Sequence, residues 1–263
     1  MAGDNTIQSL WIGECLTRVE RLSIQSFLAN GHDYHLYVYS KVDGIPAGVT
    51  VKDASSVIPA QSIFRTNGSL SIFADWFRQE LLFAHGGYWA DLDVVCLKPL
   101  RFDDEIVVGK EDSSKVSNAV MRFPKGHEIT RALADVSKEP NRPMPYDTPA
   151  DRRRKFVRRY VLGNRRNRIQ WGEPSGPVGL TKMLKHHRLL KQVKPYYYFH
   201  PLHFSFWRCA WDDTFSDGLG FFSSSYCVHL WNEKIRRTGF DKSAPFPRNS
   251  LVHQLASRYG VRA

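Results

Sequence analysis

The spacing of apolar and polar residues near the start of the chain predicts a strand, a helix and a second strand. Residues 7–12 form a short apolar run, and residues 17–29 carry apolar side chains at helical spacing before Asn30 and Gly31. Residues 34–39 alternate and favour a strand. A strand, a helix and a strand at this spacing open a βαβ unit, which predicts an α/β fold.

The clearest helical pattern covers residues 69–85, where one face is apolar and Gly86 and Gly87 follow as a stop. The next ten residues, 88–97, are apolar except for Asp91 and Asp93, which predicts one buried strand. One α/β domain over residues 1–263 is expected, in which the part after about residue 140 decorates a sheet built by the first half. Further predicted strands are 106–108, 119–123 and 221–228, and further predicted helices are 127–137, 151–162 and 179–186.

Charge and cysteine content narrow the classes of partner and compartment. The net charge of +11 favours anionic partners: nucleotides, phospholipid headgroups, lipid-linked phosphates or nucleic acid. No apolar run reaches the roughly 18 residues that a membrane span needs, and the N-terminus lacks the basic and apolar regions of a signal peptide. Four scattered cysteines without a CxxC pair predict reduced thiols in a cytoplasm and no zinc site.

The densest candidate chemistry is the pair Asp91 and Asp93. On a strand, side chains two residues apart point to the same side, so two carboxylates would be presented together. Burying both is costly unless a cation neutralises them, and Mn²⁺ or Mg²⁺ prefers such oxygen ligands. The alternative is a solvated strand end. Upstream, Asp75 and Arg78 share a helix face, either as part of the same site or as a surface ion pair.

The run SIFADWFRQELLFAHGGYWADLDVVCLKPL resembles the DxD sugar-binding region of glycosyltransferase family 32 and the core of the clostridial large cytotoxin glucosyltransferases. The resemblance lies in the order Asp, two residues, Arg, then GG, two aromatic residues and DxD. It implies a GT-A fold, a Rossmann-like α/β domain that transfers a sugar from a nucleotide-sugar with retention. It implies that Asp93 ligates the metal, that Asp91 contacts the sugar or ribose and the metal's water shell, and that Asp75 and Arg78 bind donor hydroxyls and phosphate.

Shorter segments extend the resemblance to most of the chain. IQSLWIG resembles the first strand of these enzymes and implies that Trp11 stacks on the nucleotide base, while SNAVM places Asn118 near the donor sugar. SGPVGLT resembles the family's GP-containing helix start. VHLWN resembles the segment that closes over the diphosphate and implies roles for His229, as a third metal ligand, and Trp231. The alternative is that Trp11, His229 and Trp231 are core residues.

The segment 152–168, RRRKFVRRYVLGNRRNR, contains nine basic residues. It is interpreted as a surface that docks on an anionic membrane or a phosphorylated acceptor, or alternatively as a solvated helix face. The whole pattern predicts a metal-dependent glycosyltransferase with a UDP-linked donor and a saccharide or lipid-linked acceptor, acting in bacterial polysaccharide or lipopolysaccharide assembly and peripheral on the membrane's inner face. A toxin-like glycosyltransferase, a phosphohydrolase and a basic nucleic-acid-binding protein are the alternatives.

Overall fold

The computed structural model describes residues 5–242 and 244–262, apart from the side chain of Asn167. Its centre is a six-stranded mixed sheet, and a separate two-stranded sheet lies beside it. The strands are β1 (Ile7–Trp11), β2 (Tyr34–Val38), β3 (Val49–Asp53), β4 (Gly87–Ala90), β5 (Val94–Cys96), β6 (Val107–Lys110), β7 (Val116–Phe123) and β8 (Cys227–His229). The helices are α1 (Arg18–Ala29), α2 (Ser71–His85), α3 (Glu128–Lys138), α4 (Pro149–Phe156), α5 (Pro177–His186), α6 (Tyr196–Phe199), α7 (Asn232–Thr238) and α8 (Leu251–Arg258).

The large sheet has the order β3-β2-β1-β4-β7-β6 and is parallel in its first half. Strand β1 pairs in parallel with both β2 and β4, and β2 pairs in parallel with β3. Strand β7 runs antiparallel to β4 and to β6. The predicted α/β class with a Rossmann-like half is therefore confirmed. The carboxyl ends of β1 and β4 meet the amino end of β7 at one edge of the sheet.

Helix α2 is fixed by its apolar face and by the glycine that ends it. Phe73, Phe77 and Leu81 recur along one side and are fully buried in the core beneath the sheet. Gly86 follows with φ of 70°, and a Cβ atom there would lie 2.6 Å from the backbone nitrogen of Lys125. Only glycine fits both conditions, so α2 must turn into β4 at this point.

The prediction of one strand over residues 88–97 is wrong. Strand β4 ends at Ala90, and β5 begins at Val94 and pairs antiparallel with β8 in the second sheet. A turn separates them, because the Val94 N–H donates to the carbonyl of Asp91 at 3.0 Å. The two aspartates therefore lie in a turn between sheets. The predicted strand over 221–228 is also wrong, since 219–222 form a 3₁₀ helix and β8 is only three residues long.

The second half of the chain adds helices and loops around the sheet. The predicted helices 127–137 and 179–186 are confirmed as α3 and α5 within one or two residues at each end, and the helix predicted over 151–162 is α4 followed by a π-helical turn at Val157–Val161. Helix α8 was not predicted; it shares a buried apolar cluster with Val19 and Leu22 of α1. Among the described residues no helix has the length and apolar character that crossing a membrane requires.

Candidate active site

A cleft of about 280 Å³ opens where the carboxyl end of β4 meets the amino end of β7. All the residues predicted for the site, apart from Trp11, line it. The side chains around the cleft are Ser71, Asp75, Arg78, Asp91, Asp93, Glu111, Lys115, Ser117, Asn118, Ala119, Trp171, Pro177, Phe204, His229, Trp231, Glu233, Lys234 and Arg237. They come from both sheets, three helices and several loops, so only the folded chain brings them together.

Asp91, Asp93 and His229 form a compact acidic and imidazole cluster. Their candidate ligand atoms all lie within 4.8 Å of one another. The turn between β4 and β5 supplies both aspartates, and the β5–β8 pairing supplies the histidine, because Val94 is directly opposite His229. Carboxylate oxygens with one imidazole nitrogen suit a hard divalent cation such as Mn²⁺ or Mg²⁺.

The Asp93 carboxylate is held in place on both of its oxygens. Its Oδ1 lies 3.1 Å from His229 Nε2, and its Oδ2 accepts a 2.6 Å hydrogen bond from the Asn232 backbone N–H. Burial would raise the pKa of Asp93, but the charge and hydrogen bond of His229 hold it below its usual value. Asp93 is therefore an ionised carboxylate, the form that a metal ligand needs.

The carboxylate of Asp91 has a different environment. Its Oδ1 lies 3.0 Å from Arg78 Nη2 and accepts a 2.7 Å hydrogen bond from the Trp89 indole N–H. Burial, together with the neighbouring charge of Asp93, raises the pKa of Asp91 despite Arg78. A buried and a partly exposed carboxylate this close favour a bound cation, which would relieve both effects. His229 Nδ1 is also buried and has no hydrogen-bond partner among the described residues. One ring nitrogen of the cluster can therefore still form a polar contact.

Arg78 connects the cluster to Asp75 and Asn118. Its guanidinium lies 3.4 Å from Asp75 Oδ1 and donates to the carbonyl of Asn118, while the Asn118 amide donates to Asp75 Oδ1 at 2.7 Å. Asp75 and Arg78 are only 7% and 4% exposed, so the alternative of a surface ion pair is wrong. Burial raises the pKa of Asp75 to about 6 even with Arg78 beside it. Such a costly arrangement is typical of functional sites.

The loop before α5 closes one side of this network. A Cβ atom on Gly176 would lie 2.7 Å from Asp75 Oδ2 and 2.8 Å from the Cα atom of Gly172. Glycine is therefore required where the chain passes the buried carboxylate, and Pro177 then begins α5. This contact explains why the GP-containing segment belongs to the site although it is about a hundred residues from Asp75 in sequence.

The contacts of Trp231 and Trp11 differ from those expected for the roles that the resemblance implies. The indole N–H of Trp231 donates to the carbonyl of Leu202 at 2.8 Å, and its ring packs on His229 with centroids 4.2 Å apart. Trp231 thus supports the histidine. Trp11 ends β1 at the same edge of the sheet but is not among the cleft-lining residues, and the ammonium of Lys242 lies 5.7 Å from the centre of its ring.

Several cleft residues were not predicted from the sequence, among them three basic side chains and one exposed tryptophan. Lys115 and Arg237 line the cleft together with their carboxylate partners Glu111 and Glu233. Lys234 lines it without such a partner among the described ion pairs, and Trp171, which is 48% exposed, stands at the rim. Lys234 and Arg237 come shortly after the VHLWN segment, and their closeness to this segment is the feature of the sequence that could have indicated them. Lys115 and Trp171 lie in loops without a recognisable pattern.

Comparison with known proteins gives distant relatives, and no family model matches the chain. It is 26% identical over 202 residues to lactosylceramide 4-alpha-galactosyltransferase of Gorilla gorilla gorilla, covering 72% of this chain and 52% of that protein. The Homo sapiens protein of the same name is 25% identical, with 72% and 48% covered. The chain therefore spans about half the length of these curated relatives. The solved structure of PaToxG glycosyltransferase covers 72% of this chain and 73% of its own, with a TM-score of 0.47 and 17% identity.

Proposed function

We propose that this protein is a glycosyltransferase that binds a nucleotide-sugar in the cleft beside Asp91, Asp93 and His229. The observation that carries the proposal is the convergence of these three side chains with the buried network of Asp75 and Arg78. The similarity to proteins named as galactosyltransferases supports the same class of activity. We further propose that the Rossmann-like sheet, with its DxD turn after β4, is a GT-A fold.

The residues of the cleft divide into a metal-binding part and a donor-binding part. Asp91, Asp93 and His229 would hold a divalent cation. Bound there, Mn²⁺ or Mg²⁺ supplies a Lewis acid that offsets the charge of a departing diphosphate. Asp75 and Arg78, fixed rigidly against each other, orient hydroxyls of the donor sugar.

One cation of the cleft, Lys234, supports an anionic leaving group. It lies on α7, which follows β8, whereas Lys115 pairs with Glu111 at 3.4 Å and Arg237 pairs with Glu233 at 2.7 Å. Among the described ion pairs Lys234 has no carboxylate partner; its ammonium lies 4.8 Å from the ring centre of Phe204. A preorganised cation in a shielded cleft stabilises charge that develops during the reaction.

The acceptor is proposed to enter from the side formed by the residues after about 140, because Trp171, Phe204 and Lys234 lie there. A saccharide or lipid-linked saccharide acceptor is supported by the lactosylceramide in the names of the relatives. A UDP-linked donor, retention at the anomeric carbon and a role in bacterial surface polysaccharide or lipopolysaccharide assembly rest on the sequence resemblance. They are part of the proposal on that basis.

A thermal-shift panel of UDP- and GDP-sugars, each with Mn²⁺, with Mg²⁺ and with chelator, tests the proposal. A donor present at about a hundred times its dissociation constant stabilises the fold by about 2.7 kcal/mol. For a chain of this size that corresponds to a rise in melting temperature of roughly 5–10 °C. We expect one base and sugar to stand out and the rise to require the cation. A panel in which no nucleotide-sugar raises the melting temperature would contradict the proposed function.

Replacing Trp171 with alanine is expected to raise the KM for the acceptor about tenfold and to leave donor hydrolysis unchanged. An exposed indole at a cleft rim offers a flat apolar surface to a sugar ring, worth about 1.5 kcal/mol. The measurement is steady-state transfer to lactosylceramide, or to the acceptor identified in a screen. Phe206→Ala is the control, because Phe206 is also exposed but does not line the cleft. Equal KM values for Trp171→Ala and Phe206→Ala would contradict this role.

A further inference from the structure

The solvent-facing side of α4 and of the π-helical turn that continues it carries four apolar or aromatic side chains beside two arginines. Its exposed residues are spaced i, i+1, i+4, i+5, i+8 and i+9, which places them on one face of a helix. Phe156 is 60% exposed, Tyr160 66% and Val161 67%. We call this surface the α4 face; its members are Arg152, Arg153, Phe156, Val157, Tyr160 and Val161.

The basic residues on the opposite side of the same helix are bound to the body of the protein. Arg154 pairs with Asp151 at 2.7 Å and with Glu173 at 2.8 Å, and Arg158 pairs with Glu173 at 3.1 Å. Lys155 pairs with Asp147 at 2.8 Å. An ordinary surface helix turns its apolar side inward and its charges outward. This helix does the reverse, so the interpretation of segment 152–168 as a merely solvated basic face is not supported.

The charge that accompanies the apolar side chains of the α4 face is positive. Arg152 and Arg153 are exposed and have no carboxylate partner among the described ion pairs. Arg159, at the edge of the face, approaches Glu139 only at 3.8 Å. The sequence from 152 to 168 contains no aspartate or glutamate. A groove of about 320 Å³ runs beside the face, and its lining includes Arg152, Arg153 and Arg159.

We propose that the α4 face docks the protein on an anionic lipid bilayer. Aromatic and aliphatic side chains that protrude from a helix insert at the boundary between headgroups and acyl chains, while arginines pair with lipid phosphates. Phe156 and Tyr160 are adjacent, with ring centroids 4.9 Å apart, and form a single apolar projection. Arg152 and Arg153 lie one turn earlier on the same face, where they reach the headgroups of the same surface.

Two other occupants fit the α4 face less well. A second copy of the chain placed symmetrically on it would bring its arginines against an identical set, and like charges repel. A nucleic acid would use the arginines but would leave the apolar projection against a phosphate backbone. An anionic bilayer satisfies both parts of the face, and charge complementarity therefore selects it.

Sedimentation with vesicles of phosphatidylcholine, alone or mixed with phosphatidylglycerol, tests the proposal on the full chain. We expect binding to the mixed vesicles only. Arg152→Glu with Arg153→Glu should weaken that binding at least about thirtyfold, since each cation near an anionic surface contributes about a factor of five. Phe156→Ser with Tyr160→Ser should weaken it at least about tenfold, because the inserted apolar area is lost. Arg154 and Arg158 are left unchanged, since their variants would also break ion pairs inside the protein.

Matched controls distinguish the effect of the α4 face from effects of net charge or of exposed aromatic side chains elsewhere. Lys41→Glu with Lys52→Glu changes the net charge equally at exposed positions on other loops and strands, and Phe206→Ser with Phe221→Ser removes two other exposed aromatic side chains. Both controls should bind like the unchanged protein. Equal weakening by the controls, or no weakening by the α4-face variants, would overturn the proposal. So would loss of self-association in light scattering, or of oligonucleotide binding, in α4-face variants that still bind vesicles normally. The donor panel is independent of this outcome, because no α4-face residue lines the active-site cleft.

Discussion

Replacing Asp93 with asparagine is expected to abolish cation-dependent donor binding and to lower sugar transfer at least about a thousandfold, about 4 kcal/mol of barrier. The pKa of Asp93 is held below its usual value, so this residue supplies a carboxylate charge to the cluster, and asparagine offers a neutral oxygen in its place. Asparagine can still accept the hydrogen bond from the Asn232 N–H, so the turn should persist. Alanine would leave that N–H and His229 without their partner, which makes it the poorer test.

Calorimetric titration with UDP in the presence and absence of Mn²⁺ measures this effect, with circular dichroism to verify the fold. Asp217→Asn serves as the matched control, because Asp217 is exposed and lies outside the cleft. The control should retain cation-dependent binding. If Asp93→Asn bound nucleotide with the same dependence on Mn²⁺, the assignment of the metal centre would be wrong.

The strands and helices of the first part of the chain could be predicted from the sequence, because their apolar residues recur without interruption at the spacing of a strand or a helix. Strands β1 and β2 and helices α1 and α2 differ from the predicted ranges by no more than two residues at either end. Each has an apolar face and a local stop, such as Gly86 after α2. Strand β3 was missed, since it lies at the sheet's edge and its last four residues are exposed, which leaves no apolar pattern to detect.

The turn at Asp91 and Asp93 shows where a local pattern is insufficient. Residues 88–97 are apolar on both sides of the pair, because β4 and β5 are each buried, although in different sheets. A continuous apolar run does not reveal a change of sheet. The convergence of the two carboxylates was nevertheless expected, since either a strand or this tight turn keeps them close. The distant partner His229 was found only through the resemblance of VHLWN to a known segment.

Burial was the least predictable property of the site. The spacing of Asp75 and Arg78 is equally compatible with a surface ion pair. In the folded chain the loop at Gly176 packs against Asp75, and Asn118 and Trp89 pack against Arg78. The contribution of Trp171 depends in the same way on long-range folding. Residue type and spacing thus indicated the chemistry of the site, while its solvent exclusion follows from tertiary structure.

Replacing Arg78 with methionine is expected to destabilise the fold by about 3–5 kcal/mol at pH 8 and by much less at pH 5. Arg78 is the buried cation that faces Asp75 and Asp91, and its removal leaves one buried and one partly exposed carboxylate uncompensated. Burial already raises the pKa of Asp75 to about 6, above the ordinary 3.8. Stability from a carboxyl group with a raised pKa is present below its unfolded value and is lost as the pH rises through the folded value.

The direction of the pH effect in the variant follows from the same groups. Arg78 lowers the pKa of both Asp75 and Asp91, so without it both should rise further. At pH 5 the Asp75 carboxyl group of the variant is then largely protonated and needs no cation. The unfolded state ionises above its ordinary pKa of 3.8, whereas Asp75 of the unchanged protein ionises at about 6 and Asp75 of the variant at a higher pH. The free energy of unfolding of the variant therefore falls below that of the unchanged protein as the pH rises above about 6.

Urea unfolding at pH 5 and pH 8 measures the difference between Arg78→Met and the unchanged protein. The double variant Arg78→Met with Asp75→Asn should recover part of the loss at pH 8, because the buried one of the two carboxylates is gone. Arg131→Met is the control: its ion pairs with Asp135 and Glu80 are partly exposed, so a loss of about 1 kcal/mol or less and little pH dependence are expected. A loss of equal size at both pH values would attribute the effect of Arg78 to packing and would contradict the electrostatic account of this site.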